Sequence, residues 1–228
     1  MGKSEQKKQL IIEQAAVLFN EKGIAGTSVD EVIEAASISK GCFYGHFESK
    51  EELSFACVDY MLEQLTERRT SALNKQTTAR EKIYAFMEIN KNPLKSFFAG
   101  GCPIVNLSTE SDDTSPVIKK KVKTMLNTAI ALFTSILQEG IDKKELSNQL
   151  VPAEFATKMF LSIEGANAIC RVLNSANPMH IVADSLKKEL SAYELTSWSF
   201  TIKFSNKLSF LSASRRFIPV PGYSIQAL

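Results

Sequence analysis

Apolar residues recur at intervals of three and four along most of the chain, the spacing that lines one face of a helix. Up to residue 25 they predict a helix that ends near Gly23, built on Leu10, Ile11, Ala15, Leu18 and Phe19. Beyond residue 75 the two-residue alternation of strands is absent, and the pattern predicts helices over residues 79–89, 94–98, 117–139, 153–173 and 179–193. Ser115-Pro116, Pro152 and Pro178 support three helix starts, and Gly140 predicts a stop. The predicted fold is all-α.

Residues 26–53 contain two short predicted helices separated by a tight turn. Ser28 has Glu31 three residues later, the spacing of a capping box, so a helix should begin at Val29. Its apolar stripe consists of Val29, Val32, Ile33 and Ala36. Residues 37–38 are long enough only for a turn, and Ser39 can cap a second helix over residues 40–47. This is the spacing of a helix-turn-helix.

The second helix has an inward and an outward side. Phe43 and Phe47 lie four residues apart and can anchor it inward. The other side chains are small, basic or hydrogen-bonding and face outward: Lys40, Gly41, Cys42, Tyr44, Gly45 and His46. Each of the two glycines weakens a helix by about 1 kcal/mol, which indicates close approach to a partner. Tyr44 and His46 can donate hydrogen bonds to phosphate oxygens.

A third helix begins after Ser49, which has Glu52 three residues later and Lys50 in the first turn. A helix start carries the positive end of the helix dipole and free backbone N–H groups, and both favour an anion. The positive charge of Lys50 is unfavourable at such a place unless an anion from outside the chain binds there. The position therefore indicates a phosphate contact.

Together these residues resemble the signature of the TetR family of transcriptional repressors. The matching positions are Phe19, Gly23, Thr27, Val29, Ile33, Ala36, Ser39, Lys40, Gly41, Phe43, Tyr44, Phe47, Lys50 and Leu53. The resemblance implies that the helix from Lys40 enters the major groove of DNA. It also implies contacts with the DNA backbone by Thr27, Ser28, Tyr44, His46 and Lys50. Cys42 and Gly45 depart from the residues that the family usually has.

The predicted DNA-binding residues are therefore Thr27, Ser28, Ser39, Lys40, Gly41, Cys42, Tyr44, His46 and Lys50. Each of these residues alone is as well explained by core packing or by a solvated surface. A helix-turn-helix pattern alone also occurs in helical proteins that do not bind DNA. These residues occur together at the spacing of a helix-turn-helix, and that combination favours a DNA-binding regulator.

The chain divides into three predicted parts. Residues 1–49 form a three-helix DNA-binding domain, and residues 50–195 form a larger helical domain for effector binding and dimerisation. The helix from Lys50 should leave the first domain and enter the second, as a mechanical link. Residues 196–228 contain no acidic residue and interleave basic with aromatic side chains. Such a tail could touch DNA or a membrane, pack across a dimer, or have no role.

Composition favours an ordinary globular protein over a general polycation. The net charge is +2, with 44% hydrophobic and 23% charged residues, so any DNA contact must be local. No apolar stretch approaches the roughly 20 residues that span a bilayer, and the start lacks a secretory signal, so we expect a cytoplasmic protein without a membrane partner.

Four scattered cysteines and two histidines show no metal-ligand spacing. We therefore predict no catalytic residues, no metal and no cofactor. The competing class is an enzyme, or a helical protein that binds small molecules but not DNA.

Residues 153–173 carry a wide apolar face that could serve both the core and a partner. Its members are Phe155, Met159, Phe160, Ile163, Ala166, Ile169, Cys170 and Leu173. With the last helix, which carries Ile181, Val182, Leu186, Leu190 and Tyr193, it could form a twofold dimer contact of four helices, as the resemblance also implies. An ordinary monomer core is the alternative, because periodicity does not distinguish core from interface. A dimer would set two reading helices roughly 34 Å apart or slightly more.

Residues 97–113 form a second distinctive segment, in which Gly100-Gly101 breaks a helix and Cys102 follows. Gly101-Cys102, Asn106-Leu107 and Glu110 resemble a pattern in one branch of the TetR family, where this segment lies near the ligand cavity. Some members of that branch sense electrophiles or oxidants through the matching cysteine. A sensing cysteine needs a thiolate favoured by positive charge or helix-start donors. A small residue that fills a tight turn is the simpler interpretation of Cys102.

A non-covalent, mostly apolar effector in a cavity between helices is the other possibility. The predicted effector-binding residues are Phe98, Cys102, Asn106, Phe133 and Met159. The expected function is a homodimeric repressor that binds palindromic operator DNA and is released by a small apolar or electrophilic effector.

Overall fold

The computed structural model describes residues 2–195, and this part of the chain forms nine α-helices with short connections. They are α1 Lys3–Lys22, α2 Val29–Ala35, α3 Lys40–Tyr44, α4 Lys50–Leu73, α5 Ala79–Ile89, α6 Pro103–Ser111, α7 Pro116–Asp142, α8 Pro152–Val172 and α9 Asn177–Ser191. The prediction of an all-α fold is confirmed. The predicted tail, residues 196–228, lies outside the described residues.

Most helix boundaries follow the signals in the sequence. The predicted helix 79–89 has the same bounds in the structure, and Thr78 caps it together with Glu81. The helices predicted over residues 117–139, 153–173 and 179–193 begin one or two residues earlier, each with a proline in its first turn. A first-turn proline loses no helical hydrogen bond, because the N–H at that position has no partner within the helix.

The structure departs from the predicted helices at three places. Residues 94–98 form only a short 3₁₀ turn, Pro93–Lys95, because the Asn92 side chain accepts a hydrogen bond from the Leu94 N–H and closes the segment tightly. Helix α6, which starts at Pro103, was not predicted. Gly140 does not stop α7, which continues to Asp142; a side chain at this position would collide with Ala79 and Leu146. Gly140 is therefore required for close packing.

The first three helices pack around the start of α4. Phe19 from α1, Val32 from α2, Phe43 from α3 and Leu53 from α4 are all buried in one continuous core. Helix α4 has 24 residues, a length of about 36 Å. Its later turns pack against α5 and α7. One rigid element therefore connects the small helical head to the larger helical body.

The larger body is built around α5, α7 and α8. The Phe86 ring lies 4.4 Å from that of Phe133 and 6.0 Å from that of Phe160, measured between ring centroids. Helix α9 covers α8 with its own buried face. Within residues 2–195, no helix is long and apolar enough to cross a bilayer.

Candidate nucleic-acid interface and effector region

Helix α3 is held by two buried rings and presents an open outer surface. Phe43 and Phe47 are buried with ring centroids 6.1 Å apart. Tyr44 is 50% exposed, and a methyl group added at Gly41 would meet no atom within 4 Å. The helix ends at Tyr44, earlier than predicted, because Gly45 already caps it. Its outer surface can therefore approach a flat or grooved partner closely.

Serine caps start each of the three helices in this region. Ser39 Oγ accepts from the Cys42 N–H at 3.1 Å, and Ser49 Oγ accepts from the Glu52 N–H at 3.1 Å. At Ser28 the capping box is complete, since Ser28 Oγ accepts from the Glu31 N–H and the Ser28 N–H donates to the Glu31 carboxylate. The predicted caps are all present, and each orients a helix start without help from distant residues.

The Glu31 carboxylate has a strongly lowered pKa. Lys22 donates a hydrogen bond to it at 2.8 Å, and Ser28 adds two more. These hydrogen bonds, that from Lys22 first, lower the pKa of Glu31 to about 2. The carboxylate therefore stays ionised and fixes the end of α1 against the start of α2.

Two predicted phosphate contacts have partners inside the protein. Thr27 is 1% exposed, and its hydroxyl donates to the Gly23 carbonyl at 2.8 Å. Lys50 Nζ donates to the carbonyls of Ile24 and Thr27, both at 2.9 Å. The Thr27 hydroxyl is not available to DNA in this conformation. Lys50 ties the start of α4 to the loop before α2 and has a third N–H left.

The other predicted DNA-binding residues surround this framework. Ser28, Ser39, Lys40, Gly41 and Tyr44 are exposed, whereas Cys42, His46 and Lys50 are half-buried. Helix α3 thus gathers small and hydrogen-bonding groups on one open side, as the pattern predicts. Within residues 2–195, no group of three metal-ligating side chains comes together.

A contact between α1 and α6, which the sequence analysis missed, joins the head to the larger body. The buried Asn20 side chain donates to the carbonyls of Ala99 and Gly101, at 2.6 and 3.0 Å. Asn106 Nδ2 donates to the Asn20 carbonyl and to Asn20 Oδ1, both at 3.0 Å, and to the Gly100 carbonyl at 3.2 Å. We call these residues the α1–α6 contact. It holds the end of α1 on the start of α6.

The same contact explains two residues of the segment 97–113. Gly100 has a φ of +90°, and a Cβ there would lie 2.4 Å from the Asn20 carbonyl oxygen. Glu110 accepts a hydrogen bond from the Ala25 N–H at 2.8 Å. Partners about 80 residues apart in the chain leave no local pattern. The signal in the sequence was weak, because Asn106 and Glu110 are two polar residues among several others in residues 97–113.

The five predicted effector residues do not line one cavity. Phe98 and Cys102 line a cavity of about 40 Å³ between α4, α8 and the segment before α6. Phe133 and Met159 are fully buried and do not line that cavity. Asn106 faces α1 instead. Phe133 and Met159 are therefore core residues. Their helical spacing fitted an effector site equally well, because spacing alone does not distinguish core from cavity.

Cys102 starts α6 in surroundings that disfavour a thiolate. Burial, and then the charge and hydrogen bond of the Glu164 carboxylate, raise the pKa of Cys102 well above its ordinary value. The N–H groups of Ile104 and Val105 act in the opposite sense but more weakly. Burial and the Glu164 carboxylate therefore outweigh the helix-start donors at this thiol, which disfavours a reactive sensing cysteine in this conformation.

Comparison with known proteins addresses both parts of the chain. Residues 11–57 match the family model "Bacterial regulatory proteins, tetR family", and residues 79–186 match "Tetracyclin repressor-like, C-terminal domain". A TetR transcriptional regulator from Chloroflexus aurantiacus has 30% sequence identity, with 86% of this chain and 100% of that chain covered and a TM-score of 0.82. This chain belongs to the TetR family.

Two further TetR-family proteins are similar over most of their length. The HTH-type transcriptional repressor DhaR of Mycobacterium sp. (strain GP1) is 23% identical over 172 residues, which is 75% of this chain and 86% of DhaR. A cysteine mutant of the TetR-family regulator CifR, solved with 26-bp double-strand operator DNA, shares the fold. It has a TM-score of 0.70 and 20% identity, with 79% of this chain and 94% of CifR covered.

TetR-family membership confirms that the protein is a helix-turn-helix transcription regulator and not an enzyme. The two family models match separate parts of the chain, residues 11–57 in the first helices and residues 79–186 in the larger helical body.

The apolar surface of this TetR-family chain on α8 and α9 differs from the predicted one. Of the face predicted on α8, six residues are buried in the chain's own core, and only Ile169 and Leu173 are exposed. On α9, Leu186 and Leu190 are buried as well. The exposed apolar side chains on these helices are Leu161, Ile169, Val172, Leu173 and Ile181. We call these five residues the α8–α9 patch.

Proposed function

We propose that this TetR-family protein is a homodimeric repressor that binds a palindromic operator and releases it when a small effector binds in the larger helical domain. The observation that carries the proposal is the outer surface of α3, with Gly41 open to approach and Tyr44 half exposed on a helix anchored by Phe43. Such a helix can lie in a major groove with its polar side chains on the DNA.

The contacts with DNA divide into two kinds. Lys40, Gly41 and Cys42 stand at the start of α3, where the N-terminal residues of a reading helix meet base edges. Tyr44 and His46 donate to phosphates, as do the free N–H groups at the helix start that Ser28 caps. Thr27 acts indirectly, because its hydroxyl holds the loop that presents Ser28.

Dimerisation is proposed through the α8–α9 patch. Leu161 and Ile169 lie eight residues apart on one side of α8, with Gly165 between them, where an added Cβ would meet no atom within 4 Å. A second α8 could approach closely at that point, and Ile181 from α9 would extend the buried area. A twofold pairing of this kind gives four helices at the interface and presents two α3 helices to successive major grooves.

Effector binding is proposed to act on the head through α4 and through the α1–α6 contact. Cys102 both lines a cavity and caps the start of α6, and Asn106 on the same helix holds Asn20 of α1. A ligand that moves α6 would therefore move α1. An effector can shift operator affinity only if it binds the two conformations with different affinity. The unfavourable surroundings of the Cys102 thiolate support a non-covalent effector.

The proposal is tested by fluorescence anisotropy with DNA from upstream of the protein's own gene, at several salt concentrations. Tyr44→Phe and Lys40→Ala should each weaken binding about tenfold, roughly the effect of losing one good contact. Lys40→Ala should also reduce the salt slope by about 1 if Lys40 neutralises a phosphate. Lys120→Ala, an exposed lysine on α7, is the matched control and should bind normally.

The dimer is tested by sedimentation of wild type and Leu161→Glu. Wild type should sediment as a dimer, and the charge placed on the α8–α9 patch should give monomers that have lost operator affinity. A Leu161→Glu protein that remains dimeric would contradict the proposed interface, and equal operator binding by Tyr44→Phe, Lys40→Ala and wild type would contradict the proposed reading surface.

A further inference from the structure

Arg69 is a buried cation with incomplete hydrogen bonding. It lies on α4, is 5% exposed, and its Nε has no hydrogen-bond partner. One terminal nitrogen has only the Met125 sulfur, 4.0 Å away. Arginine stays charged in proteins, and a buried charge costs several kcal/mol unless it is paired. A side chain of this kind indicates a missing hydrogen-bond acceptor.

Arg69 lines a cavity of about 40 Å³ whose other walls are mostly apolar. Phe86, Ile104, Met125 and Phe160 form those walls. A second cavity of similar volume shares Leu65, Arg68, Ile89, Asn90 and Cys102 with the first and extends to Lys95 and Arg171. The two cavities therefore adjoin. Together they provide an apolar interior with a polar and positively charged approach.

The charges around the two cavities are unbalanced. Four lining residues are cationic: Arg68, Arg69, Lys95 and Arg171. Among the lining residues only Glu164 is acidic. Burial raises the pKa of Glu164, and the charge of Arg69 lowers it more weakly, so these two side chains attract each other. The direct ion pairs found among residues 2–195 include neither of them. The region has an excess of positive charge that a bound anion would offset.

We propose that these adjoining cavities bind a small organic carboxylate, which accepts a hydrogen bond from Arg69 Nε and lays its apolar part on the Phe86 and Phe160 rings. A carboxylate matches a guanidinium in shape and charge. A small carboxylate would then be the effector of the proposed repressor. Only the step from carboxylate binding to operator release rests on the proposed function.

The position of the cavities connects the ligand with the head. Cys102 lines both cavities and caps α6, so a carboxylate held by Arg69 lies beside the start of the helix whose Asn106 holds α1. Cavities of about 40 Å³ have room for one or two waters. They therefore favour short carboxylates over long-chain lipids.

The probes are the short carboxylates propionate and butyrate, with propionamide and butyramide as neutral matches of nearly the same shape. Binding is measured without DNA, by calorimetry and by the shift in melting temperature. Both carboxylates should raise the melting temperature of wild type, and the amides should not. Equal stabilisation by the amides, or no stabilisation by either carboxylate, would overturn the proposal.

Arg69→Met tests the role of the cation itself. This variant should bind the carboxylates at least tenfold more weakly, and without ligand it should melt a few degrees higher, because an unpaired buried charge has been removed. Lys75→Met, at an exposed lysine just after α4, is the control and should bind like wild type. Unchanged carboxylate affinity in Arg69→Met would overturn the proposal, and if that variant does not fold, the wild-type comparison of acids with amides decides alone.

Operator binding is then measured separately, with and without butyrate. Carboxylate binding by a protein that binds no operator would contradict the proposed function and leave this inference standing. Operator binding by a protein that ignores all carboxylates would contradict only this inference.

Discussion

Residues 26–53, which we call the reading segment, are held by hydrogen bonds between residues that are close in the chain. The α1–α6 contact is held by hydrogen bonds between residues that are far apart in the chain. In the reading segment, Ser28, Ser39 and Ser49 each bond a group three residues away. In the α1–α6 contact, Asn20 bonds carbonyls 79 and 81 residues away. Local bonds form as each helix forms, whereas the distant ones require that the whole body is already folded. The local structure of the reading segment thus does not depend on the larger domain. Its position relative to that domain depends on the α1–α6 contact.

The largest difference in stability should appear between alanine substitutions at two glycines. Gly100→Ala forces a side chain into a positive-φ position 2.4 Å from the Asn20 carbonyl oxygen, so we expect unfolding to become easier by about 2 kcal/mol or more. Gly41→Ala meets no atom and should stabilise α3 by up to about 1 kcal/mol, while operator affinity falls if α3 lies close to DNA. Urea unfolding measures both. Equal effects on stability would show that the α1–α6 contact is not tightly packed.

A smaller difference is expected between two polar side chains of α1. Asn20→Ala removes two donated hydrogen bonds and leaves buried carbonyls unpaired, so it should cost about 1–3 kcal/mol. Gln9→Ala removes one exposed bond to Glu13 on the same helix and should cost no more than about 0.5 kcal/mol. Thermal unfolding of the two variants gives the comparison. If Gln9→Ala is as costly as Asn20→Ala, the long-range bonds carry no special stability.

The smallest effect concerns Glu31 in the reading segment. Its pKa in the folded protein is about 2, below the ordinary value of 4.5. A lowered pKa means that the carboxylate contributes to stability above pH about 4.5, and this contribution is lost as the pH falls toward about 2. NMR titration of the Glu31 carboxyl should find the low value, and Lys22→Met should raise it. Titration of wild-type Glu31 near 4.5 would show that the bonds to Lys22 and Ser28 do not persist in solution.

The reading segment was predictable because its determinants are close together in the chain. The capping boxes, the buried pair Phe43 and Phe47, and the exposed positions of α3 all follow from spacing. The main departures concern Thr27 and Lys50, whose side chains have partners within the head. A hydroxyl or ammonium can bond to a carbonyl or to a phosphate with similar geometry, and the residue type alone does not decide between them.

The effector region was predictable only in outline. Phe98, Phe133 and Met159 all have helical spacing, yet only Phe98 lines a cavity. Arg69 lies within a run of charged residues on α4, TERRT, where a solvated surface is the ordinary expectation. Its burial results from the packing of α5 and α7 against α4, and Phe160 and Glu164 of α8 line the same cavity as Arg69.

The sequence by itself determined that this chain is helical, where most helices begin, and which short segment forms the helix-turn-helix, because caps and amphipathic stripes act over three or four residues. The tertiary structure alone decided that Asn20 holds the start of α6, that Phe133 is core and that Arg69 lines a cavity. Those outcomes depend on which helix faces meet, and distant faces are brought together by the summed burial of the whole core.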